Sequence, residues 1–223
     1  MADFVGLAVS AGRQAADAVA ASVAEFCVLF VGIPLAIAWL QRPGLLLLAV
    51  WGGGLVAWLA SRDVEAGNPP AVSPRLEIGF IGARFALLGG LLTVAMWRAM
   101  PNNFLDTPFD HTRLWAAIMV LYPALSVLPQ EMIYRRFIFR RYAKLLTGPR
   151  QRIAASAGAF AVAHVIFLNP WAVLLTGIGG VLFAETYART GRLRYVWLEH
   201  ALYGCLIFTI GLGRFFYTGT AWH

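Results

Sequence analysis

Seven apolar runs constrain this 223-residue chain more than any other feature: they lie at about 23–40, 43–60, 78–97, 114–137, 153–168, 171–187 and 195–213. A membrane-spanning helix needs roughly 20 mostly apolar residues. Runs of that length, separated by short polar breaks, leave no surface on which a water-soluble fold can be built. Composition agrees, with 60% hydrophobic and only 13% charged residues. A soluble domain carries about 25% charged residues. The chain is therefore expected to be all-α, a polytopic membrane helix bundle of about seven transmembrane helices.

The breaks carry turn chemistry. Gln41-Arg42-Pro43-Gly44 and Asn169-Pro170 predict tight hairpins, and Gly67-Asn68-Pro69-Pro70 a longer loop. Gly52-Gly53-Gly54 is expected to soften the second run. Residues 1–22 have no basic start followed by a continuous apolar stretch, so they read as an interfacial segment rather than a secretory signal. Residues 23–113 hold spans without a chemical motif, and residues 114–217 hold the polar groups that can do chemistry.

A net charge of +7 would suggest nucleic acid in a soluble protein. Here the basic residues sit in short loops, where they set topology instead. Arg140, Arg141, Lys144, Arg150 and Arg152 fill one loop, and Arg189, Arg192 and Arg194 another. Two runs separate these loops, so both face one side, which the positive-inside rule makes the cytosol. Counting back puts the N-terminus, with Arg13, Arg62 and Arg75, in the cytosol and His223 outside. Cys27 and Cys205 lie within apolar runs and read as small core residues rather than a disulfide or metal pair.

Ionisable residues inside a bilayer are costly and are functional candidates by default. The embedded set is Arg84, Gln130, Glu131, Arg135, Arg136, His164, Glu185, Glu199 and His200. Glu131 and Arg135 are four residues apart, share a helix face and can pair. Glu185 and Arg189 repeat that spacing and read as a helix-end pair. At 1.5 Å per residue, Glu131, His164 and His200 lie roughly 13, 18 and 9 Å below the surface marked by the basic loops. A carboxylate and two imidazoles on three helices thus reach the same half of the membrane. Such a trio can activate water for hydrolysis, bind zinc, relay protons or serve only as a structural anchor. Spacing alone does not choose among these.

The order of the motifs narrows the choice. Gln130-Glu131-Met132-Ile133-Tyr134-Arg135 is followed by Phe160-Ala161-Val162-Ala163-His164 and then by His200-Ala201-Leu202-Tyr203-Gly204. This series resembles the EExxxR, FxxxH and HxxxN/D motifs of the CPBP family of intramembrane proteases, which includes the type II CAAX prenyl endopeptidases and bacterial self-immunity proteins. The likeness covers about residues 114–210, with "LFAETYARTGRL" resembling the approach to the last motif. Two positions depart from the pattern. Gln130 replaces the first glutamate, usually assigned as the base, and Gly204 replaces the Asn or Asp of the third motif.

The resemblance implies an intramembrane endopeptidase of glutamic type in the inner membrane of a bacterium, acting on a membrane-anchored peptide or protein. No cofactor or nucleic-acid partner is expected, no residue is assigned as a metal ligand, and the sequence leaves a metal requirement open. Glu131, His164, His200 and Arg135 are the expected catalytic set: Glu131 activates water, Arg135 holds Glu131, and the imidazoles orient water and steady the oxyanion. Gln130, Phe160, Tyr203 and Gly204 are expected to line the substrate pocket. The competing reading is a catalytically inactive membrane scaffold or chaperone of the same fold.

Overall fold

The computed structural model describes residues 2–62 and 70–216, and all regular structure among them is helical. The Gly67-Asn68-Pro69 part of the expected long loop, and His223, lie outside the described residues. Helix α1 covers residues 2–40, with a π-helical turn at Val28–Gly32. Helices α2 (Pro43–Arg62) and α3 (Pro74–Ala99) follow, then a short α4 (Asp106–Asp110). Helix α5 runs over residues 112–141, and α6 is Pro149–Ala163, extended by a 3-10 turn at His164–Phe167. Helices α7 (Pro170–Thr190) and α8 (Leu193–Thr209) complete the bundle.

Proline punctuates this chain. Helices α2, α3, α6 and α7 each begin on one. Its fixed φ suits the first helical turn, where its missing N–H costs nothing. The predicted hairpins form. Gln41 closes α1 in the left-handed region at φ 50°, and Asn169 caps α7 by accepting the Ala172 N–H at 2.9 Å.

Five helical stretches among the described residues are long and apolar enough to cross a membrane: Gly12–Leu40, Gly44–Arg62, Pro74–Ala99, Thr112–Arg141 and Pro170–Thr190. The other two expected spans, which carry the histidine motifs, are shorter: α6 has 15 residues before its 3-10 turn and α8 has 17. The first span begins at Gly12, inside the segment expected to be interfacial. Helix α5 is one continuous rod despite Pro123 and Pro129, with π-helical turns at Pro123–Val127 and Met132–Phe137. A π turn absorbs the backbone groups that a proline frees, and such turns often mark functional sites. The Trp197 indole N–H donates to the Pro123 carbonyl at 2.7 Å, tying α8 to α5 at the first of them.

The outer faces of the bundle are apolar, with Trp39, Leu76 and Val120 among the most exposed side chains, while Glu131, Arg135, Ser156, Thr186 and Glu199 are fully buried. That inversion suits a lipid solvent, where polar groups must find partners inside. Small residues let the helices close on them. A Cβ at Gly180 would lie 3.0 Å from Ala157 Cα, so α6 and α7 meet almost backbone to backbone. A Cβ at Gly54 would lie 2.8 Å from Pro129 Cβ. The glycine triplet of α2 therefore sets a close contact with α5, and the helix is continuous through it.

The embedded charges pair differently from the expected helix-end pair. Glu185 meets Arg84 at 3.3 Å, and Arg189 meets Glu77 at 2.6 Å. Glu185 and Arg189 thereby each form their ion pair with α3 rather than with each other. Arg84 Nε also donates to Glu199 Oε1 at 2.8 Å, and Thr186 Oγ1 donates to Glu199 Oε2 at 2.7 Å, which locks α3, α7 and α8 together. Both cysteines are free, and Cys27 faces outward rather than into the core.

Candidate active site

Gln130 and Glu131 are neighbours on α5 and so point about 100° apart around the helix. Their environments differ accordingly. Glu131 turns inward and is fully buried. Its Oε2 faces Arg135 Nε at 3.3 Å, and its Oε1 accepts from His200 Nδ1 at 2.7 Å. Arg135 is equally buried; its Nη1 donates to Ser156 Oγ at 3.0 Å, and Ser156 passes the chain on to the Tyr134 carbonyl at 2.7 Å. The guanidinium also lies over the rings of Phe160 and Phe183, 4.9 and 5.8 Å from their centroids. A buried charge survives only with such partners.

Gln130 turns the other way, towards open space. Two cavities, of about 620 and 480 Å³, flank α5, and Ser126, Gln130 and His164 line both. The larger is walled by α1, α2, α5 and α6, and the smaller by α3, α5, α6, α7 and α8. Gln130 Nε2 donates to Ser126 Oγ at 2.7 Å, while its Oε1 is buried without a protein partner. Tyr203 Oη, in the wall of the smaller cavity, is likewise unpartnered.

The two imidazoles share Phe160 as a neighbour, with ring centroids 4.6 Å away for His164 and 5.5 Å for His200. His164 Nδ1 lies 2.7 Å from the Phe160 carbonyl oxygen. A carbonyl only accepts, so Nδ1 carries the proton and Nε2 keeps its lone pair. The same reasoning applies to His200, whose Nδ1 faces a carboxylate. His200 also stacks on Phe183, at 4.5 Å between centroids and 18° between planes. Both rings are thus fixed in orientation, each with one nitrogen committed to the protein.

Of the expected site residues, the fold brings Glu131, Arg135 and His200 into direct contact. It lines the smaller cavity with Gln130, Phe160, His164, His200, Tyr203 and Gly204. Glu131 and Arg135 line neither cavity. Glu199 is turned to Arg84 and Thr186, not to the space left by Gly204. Tyr122, Ser126, Ser156 and Phe183 belong to the site and carry no motif. Tyr122, Ser126 and Gln130 recur every four residues, a polar stripe along one face of an apolar helix that the sequence does display. Among the described residues no group of three or more His, Cys, Asp or Glu side chains is placed to hold a metal ion.

These features define an integral membrane protein of helical bundle type, with a carboxylate–imidazole pair sealed behind a cavity. Residues 112–206 match the family model described as type II CAAX prenyl endopeptidase Rce1-like. That stretch, from α5 through most of α8, is similar to this family of membrane endopeptidases. No curated protein and no solved structure matches the chain.

Proposed function

We propose that the chain is an active intramembrane endopeptidase that hydrolyses a peptide bond of a membrane-anchored substrate. The observation that carries this reading is the Glu131–His200 contact of 2.7 Å, backed by Arg135 and opening on the cavity that His164 lines. The Glu131 carboxylate has no path of its own to that cavity, so it acts through His200. It holds the ring with Nε2 outward and stabilises the imidazolium that forms there. His200 Nε2 takes the proton of the attacking water and returns it to the leaving amine. His164 Nε2 holds that water from the second side. The Gln130 amide, which cannot serve as a base, accepts a substrate N–H at its free Oε1.

The apolar walls suit a substrate presented from lipid, and the polar atoms suit one backbone segment of it. The test is cleavage in proteoliposomes of membrane-anchored peptides, with and without a C-terminal isoprenoid, read by mass spectrometry. The protease reading expects wild type to give a defined product that His200→Ala and His164→Ala do not. No product from any substrate, together with specific retention of a membrane peptide by wild type and both variants alike, would favour the scaffold reading.

A further inference from the structure

Among the described residues, Tyr122 is the phenol that reaches His200. Its Oη lies 3.2 Å from His200 Nε2, the nitrogen that Glu131 leaves free. The ring is held edge-on by Phe208 at 5.4 Å between centroids, and the residue lines the smaller cavity beside Gln130 and His164. Gly204 makes this placement feasible. A Cβ built there would come within 2.6 Å of Tyr122 Cζ, inside the ring's own volume. The side chain missing at 204, where the resemblance expects Asn or Asp, and the phenol supplied from α5 therefore occupy the same place.

From this geometry we propose that Tyr122 is a catalytic hydrogen-bond donor, admitted by Gly204, that stabilises the oxyanion and controls the free nitrogen of His200. This rests on the hydrolytic reading above. His200 Nδ1–H donates to Glu131, so Nε2 is an acceptor and the Tyr122 O–H donates to it in the resting site. When a substrate carbonyl enters the cavity, the O–H turns to its oxygen and releases the Nε2 lone pair. Water oxygen then bonds to the carbonyl carbon, and the water proton passes to Nε2. The electron pair of the C=O bond rests on the oxyanion that Tyr122 faces. Collapse restores C=O and breaks C–N, and the proton on Nε2 moves to the departing nitrogen. Tyr122 keeps its proton throughout. Removing a single oxyanion donor typically costs about 10²–10³ in kcat.

The test uses the full-length protein and three variants. Tyr122→Phe keeps the ring and removes the hydroxyl; it should lower kcat about 10²-fold with KM unchanged. Tyr122→Ala should be equally poor. Tyr122→Ala/Gly204→Asn, in which an amide takes the vacated volume, should recover at least about tenfold over Tyr122→Ala, because a correctly placed donor is regained. A reading independent of activity comes from ¹⁵N-histidine spectra, since the chain has only 4 histidines to assign. Tyr122→Phe should move the His200 Nε2 resonance and leave that of His164 in place. Wild-type kcat in Tyr122→Phe overturns the inference, as does a His200 resonance that does not move. Absence of cleavage by wild type defeats the protease reading instead, and the spectra then decide whether Tyr122 governs His200.

Discussion

Replacing Glu131 by Gln keeps the shape of the site and removes its only carboxylate. The immediate loser is Arg135, whose side chain is 0% exposed and whose sole anionic partner among the described contacts is Glu131 at 3.3 Å. Breaking a buried pair by neutralising one member typically costs roughly 3–5 kcal/mol, because the other charge is left uncompensated. The Ser156 bond and the two aromatic faces remain and moderate that cost. Neutralising Arg135 as well, in Glu131→Gln/Arg135→Met, removes the stranded charge at similar volume. It should return stability to within about 1 kcal/mol of wild type, since buried pairs are often replaceable by neutral residues without loss. Activity follows a different rule. Without the carboxylate nothing fixes the His200 tautomer or steadies its imidazolium, so both variants should fall about 10²–10⁴-fold. Reversible unfolding in mixed micelles gives the first quantity and cleavage of a membrane-anchored peptide the second. The reasoning is refuted if Glu131→Gln is as stable as wild type, or if the double variant cleaves at the wild-type rate.

Three further predictions extend to the surrounding bundle. Arg84→Met leaves the fully buried Glu199 with Thr186 as its remaining hydrogen-bond partner among the described residues; it should cost roughly 3–5 kcal/mol in the same unfolding measurement, and adding Glu199→Gln should recover most of it. Gly54→Ala, whose Cβ would meet Pro129 Cβ at 2.8 Å, should destabilise by about 1–3 kcal/mol, whereas Gly52→Ala, with nothing within 4 Å, should stabilise by up to about 1 kcal/mol. In a Cys27→Ala/Cys205→Ala background, a cysteine at Thr147 should react with an impermeant maleimide from the cytosolic side and one at Asn169 from the other; the reverse pattern would invert the orientation drawn from the basic loops.

The bundle was legible because lipid imposes a simple rule, and the apolar runs and proline-led helix starts obey it. The three motifs also announced which helices build the site. Sequence could not say which of Gln130 and Glu131 would face the cavity, because neighbouring residues diverge by about 100° and π turns on either side of them shift the register along α5. For that reason the proposed mechanism has Glu131 act through an imidazole, where the sequence reading has it activate water directly. Helix-local spacing misled at Glu185 and Arg189, where the better partners, Arg84 and Glu77, sit more than 100 residues away. No local pattern encodes a contact of that range. Tyr122 was missed for a related reason. Its meaning depends on Gly204, and an absence at one helix is intelligible only once the other is laid beside it.

Cleavage carried out in H₂¹⁸O tests the central claim most directly. Wild type in proteoliposomes, given a membrane-anchored peptide for a single turnover, should yield a product whose new carboxylate carries one ¹⁸O, and His200→Ala should yield none. A His200→Ala variant that forms the same labelled product at the wild-type rate would contradict the account, because the water would then be activated somewhere other than at the Glu131–His200 pair.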